Sequence, residues 1–538
     1  MTRIVRLDGA SLTIEDVVQI ARHGAGVEID PTCRGEIIRV RDYIEREWLS
    51  DGAAPVYGFN TGVGKLKDFA IAQADNDRFQ LNIVLSHCAG IGEPAPQDVV
   101  RAMLAIRINA FCQGVSGLRI EVVDRLVEML NRGVHPVVPL QGSVGASGDL
   151  APLAHVVSVL IGHEAAEAWF EGERMSAPRA LAKAGISPTS FALAAKDCLA
   201  LINGNSLCAA MAALNIHDAE RQARQADVAG ALSLEAIRGE LAAFDPRIHL
   251  ARRQSGQIDV AANIRRIVAG SERTSEAARM VHLADDVIHP AYAPRVQDQY
   301  SFRCMPQVHG SCRDNLAYAR TLITNELNAA TDNPLVFWGA DGVLEFLSGG
   351  NFHCEPIAFA MDIVSMSLAE IGNISERRLF ALCDSTLSYG LPPNLAGSPP
   401  GLNSGYAVIS CSAAAIASEN KGLCFPASVD TIPTKSNQED HVSMATWACR
   451  KARQIIDNVP KIIGIELMLA ARAIYVTEPQ LGGFALGLGT DAVYRALREA
   501  IPFCPEDSYM PGQTGPAIRI ATQGVALDLV ERGIGPLQ

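Results

Sequence analysis

Aromatic residues are scarce, at 6% of the 538, and the 13 cysteines include no Cys-x-x-Cys pair. Without paired cysteines a zinc ribbon is excluded. An odd number of scattered cysteines does not make a disulfide scaffold, so reduced thiols in a cytoplasm are expected. No uninterrupted apolar run approaches the roughly 18 residues that a membrane span needs. The first residues, Met-Thr-Arg-Ile-Val-Arg-Leu-Asp, lack the apolar stretch of a signal peptide. Positive charge is also in deficit, with 46 Lys and Arg against 59 Asp and Glu, a formal net charge of −13. Such a chain is poorly suited to general nucleic-acid binding. Repeats of solenoid period and low-complexity linkers are lacking too. What remains is a chain that is 48% hydrophobic, with 45 glycines and 28 prolines, a composition that excludes disordered and fibrous classes.

What is abundant is helical periodicity. Residues 35–49 place Ile37, Ile38, Val40, Tyr43, Ile44 and Trp48 along one stripe. Similar patterns recur at 97–113, 119–132, 150–162, 206–234, 312–330, 355–383, 405–421 and 438–475. Several exceed 20 residues and are rich in Ala, the best helix former, which suits close antiparallel packing in a bundle. Strand signals are few: Ile4–Leu7, 56–59 and 344–346. Loops are expected at 51–68, 86–96, 133–149, 284–311, 331–354, 390–405 and 424–438. The fold class predicted is mainly α, a long-helix bundle. Its expected parts are an N-terminal loop-rich domain over 1–205, a central bundle over 206–478 and a C-terminal helical subdomain over 479–538.

Several motifs fail on inspection. Gly58-Phe-Asn-Thr-Gly-Val-Gly-Lys-Leu66 lacks the first Gly and the hydroxyl residue of a phosphate loop. Gly145-Ala-Ser-Gly-Asp149 has Asp where a nucleophile elbow needs its second Gly. His163-Glu164 does not continue to a second His. His309, Cys312, His353 and Cys354 lack further ligands at metal-site spacing, so no metal is expected.

One segment is specific. Residues 142–155 read Gly-Ser-Val-Gly-Ala-Ser-Gly-Asp-Leu-Ala-Pro-Leu-Ala-His. As plain backbone this is a glycine-rich turn whose Asp149 caps the helix that follows, with Pro152 in its first turn. Further blocks follow in order: Tyr57-Gly-Phe-Asn-Thr-Gly-Val-Gly64, Ala200-Leu-Ile-Asn-Gly204, Gln297-Asp-Gln-Tyr-Ser-Phe-Arg303 with Pro306-Gln307, Glu326-Leu-Asn, Thr331-Asp-Asn-Pro-Leu335, Gly349-Gly-Asn-Phe-His353 and Asn437-Gln-Glu-Asp-His-Val-Ser443. Together they resemble the aromatic amino acid ammonia-lyase and aminomutase family over nearly the whole chain. The resemblance implies a long-helix fold of the fumarase and aspartase type. It also implies a prosthetic group, 4-methylideneimidazole-5-one (MIO), formed autocatalytically from Ala146, Ser147 and Gly148 with loss of two waters. Gly148 has no side chain, so its amide nitrogen can approach the Ala146 carbonyl in a tight turn. No external cofactor is implied. An electrophile of this kind is what elimination of a poor amine leaving group requires, and side chains do not supply one.

The resemblance assigns roles. Tyr57 is similar to a loop tyrosine that takes the β-proton, and Tyr300 to a second tyrosine beside MIO. Arg303 has the planar fork for a bidentate carboxylate clamp. Asn203 and Asn333, with Gln297 and Gln438, are expected around the substrate or MIO, where neutral amides give donors without competing charge. Asp149 resembles a residue that assists cyclisation. Alone, each Tyr could be a packed aromatic and Arg303 a surface ion-pair partner; block membership favours the site.

Two further segments, Leu85-Ser-His-Cys88 and Ala417-Ser-Glu-Asn-Lys421, match the histidine form of the family. His87 and Glu419 are accordingly expected in the ring pocket, because a carboxylate facing an imidazole N–H makes a charge-assisted bond; Phe352 is expected against the ring. Pro426-Ala-Ser-Val-Asp430 points the same way. Asn205, Ala407, Ser410, Phe59 and Val63 depart from the histidine pattern. The expected reaction is ammonia elimination from L-histidine to trans-urocanate. The alternative is a lyase or 2,3-aminomutase acting on tyrosine, phenylalanine or an electron-rich analogue. The resemblance further implies a homotetramer with shared active sites, an amino acid as the small-molecule partner, and neither nucleic acid nor membrane.

Overall fold

The computed structural model describes residues 3–49, 55–283, 296–399 and 401–538. The chain forms two compact units. The first comprises Met1–His217, Ala319–Asp362 and Pro426–Arg450; the second comprises Asp218–Tyr318, Ile363–Phe425 and Lys451–Gln538.

Helix dominates, as the periodicity predicts. Four helices are long: Ser206–Ala236, Met305–Leu327, Glu355–Cys383 and Ala445–Val476. Helix Glu355–Cys383 is apolar and long enough to cross a membrane by composition, but 72% of its apolar window is buried within the protein. That is the pattern of a core helix. Small residues allow close approach: in the second unit, a Cβ on Gly464 would lie 2.8 Å from Ile518 Cα of helix Pro511–Thr522.

The second unit also buries a charged network. Glu466 accepts from Ser233 Oγ (2.8 Å), Ser375 Oγ (2.5 Å), and Arg378 Nε (2.5 Å) and NH2 (2.9 Å). Arg378 and Glu466 are both 0% exposed. Removing one partner leaves an uncompensated buried charge. Glu466→Ala is therefore expected to destabilise the protein by about 3–5 kcal/mol, read as a lowered denaturant midpoint with an unchanged native circular dichroism spectrum.

Strands are short and belong to the first unit. Ile4–Leu7 pairs in parallel with Gly26–Ile29. Ile91–Pro94 pairs antiparallel with Pro139–Gln141. Glu167–Phe170 lies between His135–Pro136 and Glu173–Ser176. Leu335–Trp338 and Leu344–Leu347 form a hairpin. The structure departs from the sequence expectation in several places: the helix expected from 438 begins at Ala445, and strands Ile91–Pro94 and Pro139–Gln141 lie within expected loops. Residues 56–59 form a turn, not a strand. The loop expected over 284–311 ends early: Tyr300–Arg303 and Met305–Leu327 are helical. Pro306 does not break the helix, because it sits in the first helical turn, where its missing N–H costs nothing. Residues 284–295 of that expected loop lie outside the described residues.

Candidate active site

The segment with the Ala-Ser-Gly tripeptide joins strand Pro139–Gln141 to helix Leu150–Leu160 in the first unit. Gly145 (φ +68°) and Gly148 (φ +67°) turn through the left-handed region, which glycine enters without steric cost. Gly148 bridges to Gly204, and Asp149 N donates to Gly204 O at 2.6 Å. A Cβ on Gly148 would lie 2.1 Å from that same oxygen. Gly145 O accepts from Cys354 N (3.0 Å) and from Ser443 Oγ (2.9 Å), while Val144 O accepts from Met444 N (2.9 Å). Three distant segments thus fix one turn. Ala146 and Gly148 are buried, and Ser147 is half-buried.

Ser147 Oγ donates to Glu439 Oε1 at 2.5 Å. Lys435 Nζ donates to the same oxygen at 2.7 Å, and Thr434 Oγ1 to Oε2 at 2.6 Å. Burial alone pushes the Glu439 carboxyl up, but the hydrogen bonds from Lys435, Ser147 and Thr434 outweigh it and hold the group below its ordinary value. Glu439 is therefore an anion directed at the tripeptide hydroxyl. Its turn runs through three successive left-handed residues, Lys435, Ser436 and Asn437 (φ 46°, 55° and 63°). Such a conformation costs a non-glycine residue about 1–2 kcal/mol, strain of the sort found where a site over-determines the chain. His87, at the end of helix Asn76–His87, lies within the fields of Lys435 and Glu439; burial pushes its pKa down, and its Nδ1 is 2.8 Å from Ile83 O.

Asp149 does not cap the helix after it. Its side chain reaches across to the start of helix Ser206–Ala236, where Oδ2 accepts from Cys208 N (2.9 Å) and Oδ1 from Cys208 Sγ (3.0 Å) and Ser143 Oγ (3.0 Å). The residue type suits a cap, but a long helix elsewhere offers unsatisfied amides in a fully buried place. Burial pushes the Asp149 carboxyl well above the usual carboxylate range, so it can hold a proton next to the Gly148 peptide.

Asn203 ends helix Asp197–Ile202, one residue before the Gly204 that grips the turn. Its Oδ1 is buried without a partner. Arg107, buried in helix Gln97–Phe111, clamps the backbone here: NH2 donates to Asn203 O at 2.6 Å and to Ala200 O, and NH1 to Thr331 Oγ1 at 3.3 Å. Asn333 is held similarly. Its Oδ1 accepts from Gly349 N (2.7 Å) and its N donates to Asp332 Oδ1 (2.6 Å). Asp332 in turn pairs at 2.8 Å with Lys196, which is fully buried. Asn205, the departure from the histidine pattern, donates to Glu326, whose carboxyl is raised by burial.

Tyr57 occupies a turn between two anchors, Val56 and Phe59. These are buried with Val40, Ile44, Val336 and Leu344, and the Trp48 ring stands edge-on to Phe59 at 5.2 Å. Tyr57 is half-buried and its hydroxyl accepts from Gly64 N at 3.2 Å. Phe352 is half-buried near the end of the Asn333-bearing segment. Gln438 is exposed beside Glu439. The remaining expected residues belong to the second unit. Gln297 and Tyr300 are exposed; the Arg303 guanidinium lies 4.6 Å above the Tyr300 ring, and Arg303 Nε is buried without a partner. Glu419 is exposed on helix Ala407–Leu423 and accepts from Asn458 Nδ2 at 3.2 Å.

The structure adds Glu439, Lys435, Arg107 and the Lys196–Asp332 pair to the residues expected from sequence. Glu439 has a sequence signal, since it stands inside the 437–443 block next to Gln438. Arg107 has none: it sits in an apolar helical run where it reads as a solvated face.

An anionic carboxylate on a serine in a glycine turn, with the Asn203 amide next to the Gly204 that bridges it, is equipment for proton transfer and elimination at carbon. Set on long helices, it defines a helical lyase. Residues 12–499 match the family described as aromatic amino acid lyase. A histidine ammonia-lyase 2 of Fusobacterium nucleatum is 43% identical over 538 residues, the full length of both chains. A crystal structure of tyrosine aminomutase from Streptomyces globisporus superposes with a TM-score of 0.90 at 34% identity, covering 99% of this chain and 100% of that one. A histidine ammonia-lyase from Trypanosoma cruzi does so at 0.86 and 36%, covering 99% and 96%. The chain belongs to the aromatic amino acid lyase family and has its fumarase and aspartase-like helical fold. It is a carbon–nitrogen lyase.

Proposed function

We propose that this enzyme is a histidine ammonia-lyase that converts L-histidine to trans-urocanate and ammonia. The observation that carries the reading is Ser147 Oγ on Glu439, in a turn that admits no side chain at Gly148; full-length similarity to histidine ammonia-lyases supplies the substrate. The residues fit an MIO made from Ala146, Ser147 and Gly148. Both flanking positions are buried, the turn is left-handed at Gly148, and the orphaned Asn203 Oδ1 lies one residue from the Gly204 bridge. When present, that group supplies an electrophilic methylene to hold the amine.

The chain's own residues do the rest. Arg303 takes the substrate carboxylate through its fork. Glu439, kept ionised by Lys435, accepts a proton beside the reacting carbons, and Tyr57 is the second candidate base. Elimination then breaks the Cα–N bond as Cβ–H gives up its proton. His87 and Glu419 are the proposed imidazole partners. Asp149 serves cyclisation, holding a proton for the oxygen that leaves the Ala146 carbonyl. The assembly is proposed to be a homotetramer with shared sites. Phe359, Met366 and Phe380 of helix Glu355–Cys383, spaced by multiples of seven, stay 47%, 48% and 41% exposed in the single chain, an apolar stripe suited to a partner helix. All thirteen cysteines are free, which suits the cytoplasm.

The test is purified enzyme against histidine, tyrosine, phenylalanine and electron-rich analogues, followed by ultraviolet absorbance and product analysis. Urocanate from histidine alone is expected. Inert histidine with turnover of a phenyl substrate overturns the substrate, and a β-amino acid product makes the enzyme an aminomutase.

A further inference from the structure

His353 and His441, 88 residues apart in sequence, meet in the first unit. Their rings lie 5.6 Å apart between centroids, with planes inclined at 35°. His353 Nε2 is 3.4 Å from the His441 carbonyl oxygen. In a neutral ring the proton then belongs on Nε2, and Nδ1 carries the lone pair. That lone pair faces Glu355 Oε2 at 3.9 Å, beyond hydrogen-bond reach. Glu355 Oε2 is itself buried and has no hydrogen-bond partner. Two electron-rich atoms thus face one another across a gap, one of them a carboxylate oxygen shut away from water. This is unfavourable unless a cation, either a metal ion or a proton on Nδ1, lies between them.

The geometry points to a divalent transition-metal site formed by His353 Nδ1, Glu355 Oε2 and a ring nitrogen of His441. One ligand atom from each of the three residues lies within 4.8 Å of the others. Metal–ligand bonds of about 2.0–2.2 Å set tetrahedral donors roughly 3.3–3.6 Å apart, so the widest spacing must close by about 1 Å on binding, a movement the exposed His441 ring can supply by rotation. Two imidazoles and one carboxylate with open positions suit a borderline ion such as Zn²⁺, Co²⁺ or Fe²⁺ and not Ca²⁺ or Mg²⁺. The Nε2–H of His353 on a backbone carbonyl is the outer contact that orients a metal-binding histidine. Sequence spacing hides the site because the third ligand comes from another block.

Its position suggests what it does. Cys354 N and Ser443 Oγ, each next to or two residues from a ligand, grip the same Gly145 oxygen ahead of the tripeptide. An ion there clasps the start of helix Glu355–Cys383 to the 439–443 segment and stiffens the turn from outside. It takes no part in bond breaking.

The test uses the full-length enzyme, stripped with chelator and titrated with Co²⁺ without histidine, which would itself chelate. One equivalent per chain is expected, with weak d–d bands, no sulfur-to-metal charge transfer and a raised Tm. Glu355→Gln, His353→Asn and the exposed His441→Asn should each weaken binding about 10-fold or more while leaving the circular dichroism unchanged. Any one of three results overturns the site. The first is charge-transfer bands, which place the ion on the buried Cys208 and Cys354. The second is affinity unchanged by His441→Asn. The third is no binding, with a proton on His353 Nδ1 by NMR, which makes the pair an ordinary ion pair.

Discussion

Ser147→Ala is expected to lower kcat by about four orders of magnitude or more, while the protein stays folded and keeps its melting temperature within a few degrees. The size follows from what is lost. A positioned acid or base contributes roughly 10²–10⁴ to a rate. In the proposed mechanism Ser147 stands behind the electrophile itself, so its removal leaves substrate binding and proton transfer with no means of activating the amine. Ten-thousandfold is about 5.4 kcal/mol of barrier, at roughly 1.36 kcal/mol per factor of ten. Stability should barely move, because position 147 is half-buried and the Glu439 carboxylate facing it keeps Lys435 and Thr434 as partners. Intact mass is the second readout. The wild-type chain should be two waters lighter than its sequence, and the Ser147→Ala chain should not show that loss. Full activity in the variant would remove MIO from the mechanism.

Much of the fold is legible in the amino-acid sequence. Helix Glu355–Cys383 coincides with its apolar period and Ser206–Ala236 falls within a few residues of its own, whereas Met305–Leu327 starts early, around Pro306, and Ala445–Val476 starts well after the expected 438. Long amphipathic Ala-rich runs leave little choice of conformation. Short strands are mostly invisible there. Gly26–Ile29 and Ile91–Pro94 are four residues each and owe their extended form to a partner strand far away in sequence, which periodicity over four residues cannot register. The tripeptide turn is legible because its chemistry is local. The groups supporting it are not. Asp149 reads as a cap for the nearest helix and instead serves the one beginning at Ser206. Arg107 holds Asn203 from a helix about a hundred positions earlier. His441 of the proposed metal site stands in a recognisable block, but nothing in that block says that His353 lies beside it. Each of these is a long-range polar contact, whose partner is set by the fold and not by sequence spacing.

Glu439→Gln separates two roles that Ser147→Ala removes together. The amide is nearly isosteric: its oxygen can still accept from Lys435 while its NH2 donates to the Thr434 hydroxyl, so the turn at 434–439 should hold. What it loses is negative charge, and with it the ability to take up a proton. If Glu439 is a base for turnover alone, the variant should still lose two waters from its mass, yet show kcat lowered by roughly 10²–10⁴ with KM changed far less. If the contact from Ser147 Oγ at 2.5 Å also serves dehydration of the serine, the mass loss should slow or stop as well. Lys435 gives the control. Lys435→Met leaves the carboxylate in place but removes the cation that keeps it ionised, so burial then favours the protonated form. That variant should lose activity in the same direction but by less, and recover part of it as pH rises. Glu439→Gln should not recover at any pH, since an amide has no proton to give up. A Glu439→Gln enzyme with wild-type kcat would instead assign proton removal to Tyr57 and reduce Glu439 to a brace for the turn.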